Sequence, residues 1–221
     1  MSLLPFAPRS RKCRTPRRRW CAQFGGATAI LEDAPPETVF AVADALLTGD
    51  NWPERVIGSE LLGARRDAMR RVSGTVVNKW AKGLADWGSI DLYGVTVAGI
   101  AWREGRISDP QVIGWAHSDD RWQRRLALVA TVPLNSRARG GAGDTVRTLN
   151  VCRTLIDDRD DMVVKAMSWA LRELSKRDPD GVARFVREEE SRLAKRVCRE
   201  VKTKLETGRK VRPRHHARGR P

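Results

Sequence analysis

A tryptophan and an aspartate stand four residues apart in a segment that is otherwise small and apolar. In DWGSIDLYGVTVAGI, residues 86–100, Trp87 precedes Asp91, which lies between Ile90 and Leu92. Four residues make about one turn of an α-helix, so the indole and the carboxylate would share one helix face. A carboxylate buried among apolar side chains is costly unless it is paired. Asp91 is therefore expected to face a groove or to meet a cation.

Two later motifs could supply that cation and a second indole. RWQRR carries Arg124 and Arg125, and MSWALREL carries Trp169. Either arginine could pair with Asp91 from a following helix, which would be a purely structural link between neighbouring units. An arginine beside a carboxylate also favours its charged form and can hold a phosphate. The spacing leaves both interpretations open and does not separate Arg124 from Arg125.

These side chains must be positioned by helices, because the middle of the chain has helical periodicity throughout. PETVFAVADALL, for example, places its apolar residues at the spacing of one helix face. The only β-rich run, LYGVTVAGIAW, is too continuous with its flanks to indicate a strand. The large aromatic side chains are expected to fill helix interfaces in the core. This prediction covers Trp52, Trp80, Trp102 and Trp115.

Aspartates mark a repeat in this helical region. Asp50, Asp86, Asp120 and Asp161 each stand where a helix is expected to begin, a position at which aspartate accepts free backbone N–H groups. They are 34 to 41 residues apart, and each interval holds one more helix. A helix pair with this period predicts an all-α, α-α superhelix, a HEAT-like repeat solenoid. An irregular helical bundle is the alternative that spacing alone allows.

The net charge of +15 is concentrated at the two ends of the chain. Residues 1–31 hold seven Lys or Arg and no acid, and residues 202–221 hold eight and one acid. Residues 32–201 are nearly neutral, with 27 basic and 26 acidic residues. We therefore predict a basic N-terminal tail over residues 1–31, a helical domain over 32–206 and a basic C-terminal tail over 207–221. Such tails are either flexible and solvated or in contact with nucleic acid.

Several classes of protein are disfavoured by composition. No apolar run approaches the length of a membrane span, so no membrane partner is expected. The four cysteines form no CxxC pair, which indicates free thiols in a reducing compartment. The three histidines do not form a ligand set with them, so neither a metal nor another cofactor is expected.

Three motifs in order resemble one known family. DWGSIDLYG, DDRWQRRLALVATV and KAMSWALRELSKRDPDGVARFVRE are similar to segments of the AlkD-type DNA alkylation-repair family, whose members are HEAT-like DNA glycosylases. The resemblance covers roughly residues 38–206. It departs at the front, where family members usually have a further helical repeat that contributes an aromatic side chain. Here residues 1–31 form the basic segment instead.

The resemblance implies a DNA repair glycosylase. Its substrates would be cationic N3- or N7-alkylated purines in duplex DNA, and hydrolysis of the N-glycosidic bond would need no cofactor. Asp91 would be catalytic, stabilising positive charge on the deoxyribose. Trp87 and Trp169 would pack around the lesion, and Arg124 or Arg125 would hold a phosphate. The expected protein is a cytoplasmic monomer that associates with the nucleoid when bound to DNA.

Two other functions are compatible with the same fold. The leading alternative is a catalytically silent HEAT-like module that binds damaged or bent nucleic acid. A protein-binding scaffold is the third, and the ordered Trp, Asp and Arg motifs disfavour it.

Overall fold

Every regular element in the described part of the chain, residues 30–210 of a computed structural model, is helical. The all-α prediction is therefore confirmed, and the β-rich run Leu92–Trp102 is helix. The predicted tails fall almost entirely on residues 1–29 and 211–221, which lie outside the described residues.

The helices follow one another with short connections. In chain order they are α1 Pro36–Thr48, α2 Trp52–Ala64, α3 Arg66–Met69, α4 Gly74–Ala81, α5 Trp87–Tyr93, a π-helical segment Gly94–Ala98, α6 Gly99–Arg103, α7 Asp109–Ala116, α8 Arg121–Ala130, α9 Val132–Asn135, a 3₁₀ turn Arg137–Arg139, α10 Thr145–Thr154, α11 Asp161–Leu174, α12 Pro179–Glu188 and α13 Lys195–Thr207.

Antiparallel helix pairs stack into a superhelix. The first helices of the pairs are α1, α4, α7, α10 and α12, and the second helices are α2, α5 with α6, α8 with α9, α11 and α13. Each second helix packs against the second helix of the next pair along the whole described range. The first helices pack less closely against one another. The second helices thus form the tighter layer of the stack.

Side-chain caps fix where most second helices begin. The Asp86 carboxylate accepts from the backbone N–H of Ser89 at 2.9 Å and starts α5, and Asp120 accepts from Trp122 N–H at 2.9 Å and starts α8. The predicted start at Asp50 was wrong by one residue, because Asn51 directly precedes α2. Helix α11 begins at Asp161 as predicted, but its cap is Asp160, which accepts from Met162 N–H.

Three of the four tryptophans predicted in the core are buried. The indole N–H groups of Trp80, Trp102 and Trp115 donate to Asp44, Asp109 and Asn78, so burial leaves no indole donor unsatisfied. The prediction for Trp52 was wrong, because its side chain is 38% exposed. Trp52 is the first residue of α2, and a helix end need not be covered by the neighbouring pair.

Between α5 and α6 the chain continues through the π-helical turn Gly94–Ala98 without leaving the core. This turn packs against α8 at very short range. A Cβ atom on Gly94 would lie only 2.6 Å from Cγ1 of Val129. Glycine at this position therefore lets α5 approach α8 more closely than any side chain would allow.

Candidate functional site

Asp91 and Arg125 form a bidentate ion pair between α5 and α8. Arg125 donates from Nε to Asp91 Oδ1 at 2.8 Å and from Nη2 to Asp91 Oδ2 at 2.7 Å. Two parallel N–H···O bonds are the strongest arrangement that arginine makes with a carboxylate. The acid that the sequence placed on a helix face thus meets a cation from the next repeat.

Arg125 also reaches the following repeat. Its Nη1 donates to the backbone carbonyl of Met162, in the first turn of α11. The Arg125 side chain is 6% exposed, whereas the Asp91 side chain is 20% exposed. One guanidinium group therefore joins three successive second helices, and the carboxylate is the member of the pair that retains access to solvent.

The electrostatic environment of Asp91 combines burial with one cation. Burial raises the pKa of the Asp91 carboxyl above its ordinary value, and the charge of Asp86 adds to this. The hydrogen bonds and charge of Arg125 act against the rise. Because both carboxylate oxygens accept from guanidinium, the geometry is that of the ionised acid.

Arg124, the other arginine that the sequence offered, points elsewhere. Its Nε donates to Asp158 Oδ2 at 2.7 Å, and its Nη1 donates to the carbonyls of Ser118 and Asp119. These contacts join the two loops that lead into α8 and α11. The structure thus separates two neighbours in sequence, since consecutive helical residues point about 100° apart.

The two tryptophans of the predicted site lie in different surroundings. Trp87, the first residue of α5 and one turn before Asp91, is 61% exposed. Trp169 lies on α11 and is half-buried against the core. Trp87 and Asp91 share a helix, Arg125 touches Asp91, and Trp169 is carried by the helix that Arg125 also touches.

An open groove of about 430 Å³ lies between α4, α7 and the start of α8, lined by Asn78, Lys82, Gly114, Trp115, Ser118, Asp120 and Gln123. None of the predicted site residues is among them. The candidate site is instead an exposed indole beside a partly covered carboxylate on the layer of second helices.

Other chemistry is poorly supported within residues 30–210. Burial raises the pKa of the Cys152 thiol to about 12, which leaves it protonated at neutral pH. Residues 30–210 contain no group of three His, Cys, Asp or Glu side chains arranged to hold a metal ion. Over the same residues, none of the helices has the length and apolar character that crossing a bilayer requires.

Sequence reasoning missed two contributors to this site. The Met162 carbonyl that orients Arg125 carries no side-chain signal, so no motif could have indicated it. Asp86 was identified as a helix start, but its electrostatic effect on Asp91 was not anticipated. Its spacing, five residues before Asp91 and directly before Trp87, was the available clue.

Comparison with known proteins gives a consistent picture. Residues 14–205 match the family described as DNA alkylation repair enzyme. The fold is similar to that of a predicted DNA alkylation repair enzyme from Enterococcus faecalis, with a TM-score of 0.66 and 17% sequence identity over 88% of this chain and 87% of that one. No significant match is found among curated proteins. The family match begins inside the segment predicted as an N-terminal tail, at residue 14.

Proposed function

Because the chain belongs to the DNA alkylation repair enzyme family, we propose that it hydrolyses the N-glycosidic bond of cationic N3- or N7-alkylated purines in duplex DNA. The observation that carries the proposal is a carboxylate held ionised by Arg125 beside the exposed indole of Trp87. Alkylation at N3 or N7 makes the purine cationic, so the base leaves as a neutral molecule and needs little acid catalysis.

The chemical task is then to stabilise the sugar. As the C–N bond breaks, positive charge develops on the deoxyribose, and a fixed negative charge nearby lowers the barrier. The pair with Arg125 uses one acceptor direction on each Asp91 oxygen, whereas a carboxylate offers about four. The remaining acceptor directions of the partly exposed carboxylate are available to the sugar and to an attacking water.

Aromatic and basic residues complete the proposed site. Trp87 would pack against the nucleotide and attract the cationic base through its π face, an interaction of about 0.5–2 kcal/mol. Trp169 would contact the DNA from α11. Arg125 would hold Asp91 in its charged form, whereas the contacts of Arg124 with Asp158 and two carbonyls favour a structural role. We propose a monomer that acts on cytoplasmic, nucleoid DNA.

The alternative is a catalytically silent module that binds damaged or bent nucleic acid. It is supported by the same ion pair, since a bidentate Asp91–Arg125 contact between helices could serve the fold alone. One assay separates the two functions: incubation of the full chain with methylated duplex DNA, followed by measurement of free 7-methylguanine and 3-methyladenine. Release above the rate of DNA alone supports the glycosylase. Tight binding without release supports the silent module.

A further inference from the structure

Two exposed tryptophans occupy the same position in consecutive repeats. Trp52 is the first residue of α2 and follows the capping position Asn51, and Trp87 is the first residue of α5 and follows the cap Asp86. Both begin a second helix, and the two positions are 35 residues apart, which is one repeat. Stacked repeats place equivalent residues along one line of the surface. Trp52 and Trp87 therefore form a tryptophan strip on one side of the stack.

The Trp52 indole lies against the start of α5. A Cβ atom on Gly88, the residue after Trp87, would lie 3.5 Å from Nε1 of Trp52. The ring of Trp52 thus reaches across to the helix that carries Trp87 and Asp91. The strip is continuous with the candidate site.

The strip differs from the other aromatic side chains of residues 30–210. In that range the exposed large hydrophobic residues are Ile30, Trp52, Trp87 and Val146, and of these only the tryptophans begin second helices. Exposed indoles at equivalent positions of neighbouring repeats are characteristic of a binding surface, because tryptophan contributes large contact area and is enriched where partners bind.

We propose that Trp52 is a second DNA-contacting residue, which packs against a nucleotide on one side of the lesion. This inference rests on the proposed function of the same surface. Packed helices are about 8–10 Å apart, and DNA rises ~3.4 Å per nucleotide along each strand. Trp52 therefore contacts the strand two to three nucleotides away from the nucleotide that Trp87 contacts.

Local charge indicates which part of the nucleotide Trp52 touches. The Asp50 carboxylate beside it is fully exposed, and the Glu54 carboxylate is held nearby by the Asn51 side chain at 3.0 Å. Two carboxylates repel phosphate, so the indole packs against the deoxyribose rather than the phosphate. A contact with the sugar does not depend on base sequence.

The test uses the full chain and short duplexes with a tetrahydrofuran abasic-site analogue at a fixed position. Trp52→Ala is expected to weaken binding roughly tenfold, the effect of losing one aromatic contact, and Trp52→Phe is expected to restore most of it. Val146→Ala is the matched control, because Val146 is 81% exposed on the first-helix layer. It should leave the affinity unchanged.

Shortening the duplex gives an independent readout. The duplex on one side of the analogue is shortened from five base pairs to one. The affinity of the wild type should then fall to that of Trp52→Ala, whereas the affinity of Trp52→Ala should stay the same. The proposal would be overturned if wild type and Trp52→Ala bound with equal affinity, or if the substitution caused the same tenfold loss on long and short duplexes. It would also be overturned if Trp52→Ala lowered the melting temperature of the protein and Trp52→Phe failed to reverse this. If the binding results are as expected but no base is released, the proposed glycosylase activity is wrong and the proposed Trp52 contact still holds.

Discussion

Glu200 and Asp91 are largely covered acids that join second helices in the described part of the chain, and they are satisfied to different degrees. Glu200 on α13 accepts from Ser168 Oγ at 2.6 Å and from Arg196 Nε at 3.0 Å, and Arg172 and Lys210 lie within 4 Å of it. Burial alone would raise the pKa of Glu200. The hydrogen bonds of Ser168 and Arg196 and the nearby cations outweigh it and hold the pKa below its ordinary value.

Asp91 has one cation, and the pKa of its carboxyl is raised. Its side chain is 20% exposed, against 10% for Glu200, and an exposed indole stands one turn away. Each acid pairs with a side chain of a neighbouring repeat. The hydrogen-bonding capacity of the carboxylate is thus saturated at Glu200 and only partly used at Asp91. An acid that retains acceptor capacity and solvent access can act on a substrate, whereas a saturated one serves the fold.

The largest effect should come from Asp91→Asn. The substitution keeps the size of the side chain but removes the charge that would stabilise the developing oxocarbenium ion. Single-turnover base release per folded molecule is expected to fall about 10²–10³-fold. Affinity for duplex DNA should stay similar or rise, because a negative charge leaves the DNA-facing surface. Glu200→Gln is the matched control and should lower the melting temperature while base release is retained.

A double variant separates charge from folding. Asp91→Asn alone leaves the buried Arg125 guanidinium without its anion, which costs up to about 3–5 kcal/mol of unfolding free energy. Adding Arg125→Gln restores a neutral hydrogen-bonding pair, so stability should recover in part. Base release should not recover with it. Recovery of both together would make the pair structural and end the catalytic assignment.

The next effect should distinguish Trp87 from Trp169. Trp87→Ala should weaken DNA binding or base release roughly tenfold, as expected for one aromatic contact. Unfolding free energy should change by no more than ~0.5 kcal/mol, because the side chain is 61% exposed. Trp169→Ala should reduce both quantities, since Trp169 also packs against the core and its loss costs up to about 3 kcal/mol. Chemical denaturation beside the release assay measures the two.

A pH profile should sharpen the comparison further. The proposed mechanism requires ionised Asp91, so the rate of base release should fall as the pH drops through the pKa of this carboxyl, which burial places above its ordinary value. Arg125→Gln removes the group that opposes the rise in the pKa of Asp91. The fall in the rate at acid pH should therefore begin at higher pH in this variant. Single-turnover rates between pH 4 and 8, corrected for spontaneous depurination, measure the shift. If Arg125→Gln leaves the pH dependence of the rate unchanged, a group other than Asp91 controls that dependence.

The smallest effect is expected from Gly94→Ala. The added methyl group meets Val129 at 2.6 Å and must push α5 away from α8, at a cost of about 1–3 kcal/mol. A modest loss of base release should accompany it, since Asp91 and Arg125 move apart. Gly114→Ala is the control, because nothing lies within 4 Å of its Cβ position in α7. That change should instead stabilise the helix by roughly 0.5–1 kcal/mol.

The sequence indicated the helical repeats and the Trp87–Asp91 pair because both depend on spacing along one helix. It could not choose between Arg124 and Arg125, because that choice depends on the register at which α8 crosses α5. Trp52 was assigned to the core for a similar reason. Hydrophobic periodicity identifies an apolar side chain but does not tell whether the neighbouring repeat extends far enough to cover it.

The π-helical turn at Gly94–Ala98 sets the direction in which Asp91 points. A π-helical turn holds one residue more than an α-helical turn, and each residue of an α-helix advances the side-chain direction by about 100°. Downstream, Trp102 is fixed in the core by its bond to Asp109. Upstream, Trp87 and Asp91 are therefore turned by about 100° from where an uninterrupted helix would place them. With Trp102 held in place, a chain shortened by one residue here would aim its carboxylate away from Arg125 and turn the buried side chains of Ile90 and Tyr93 out of the core.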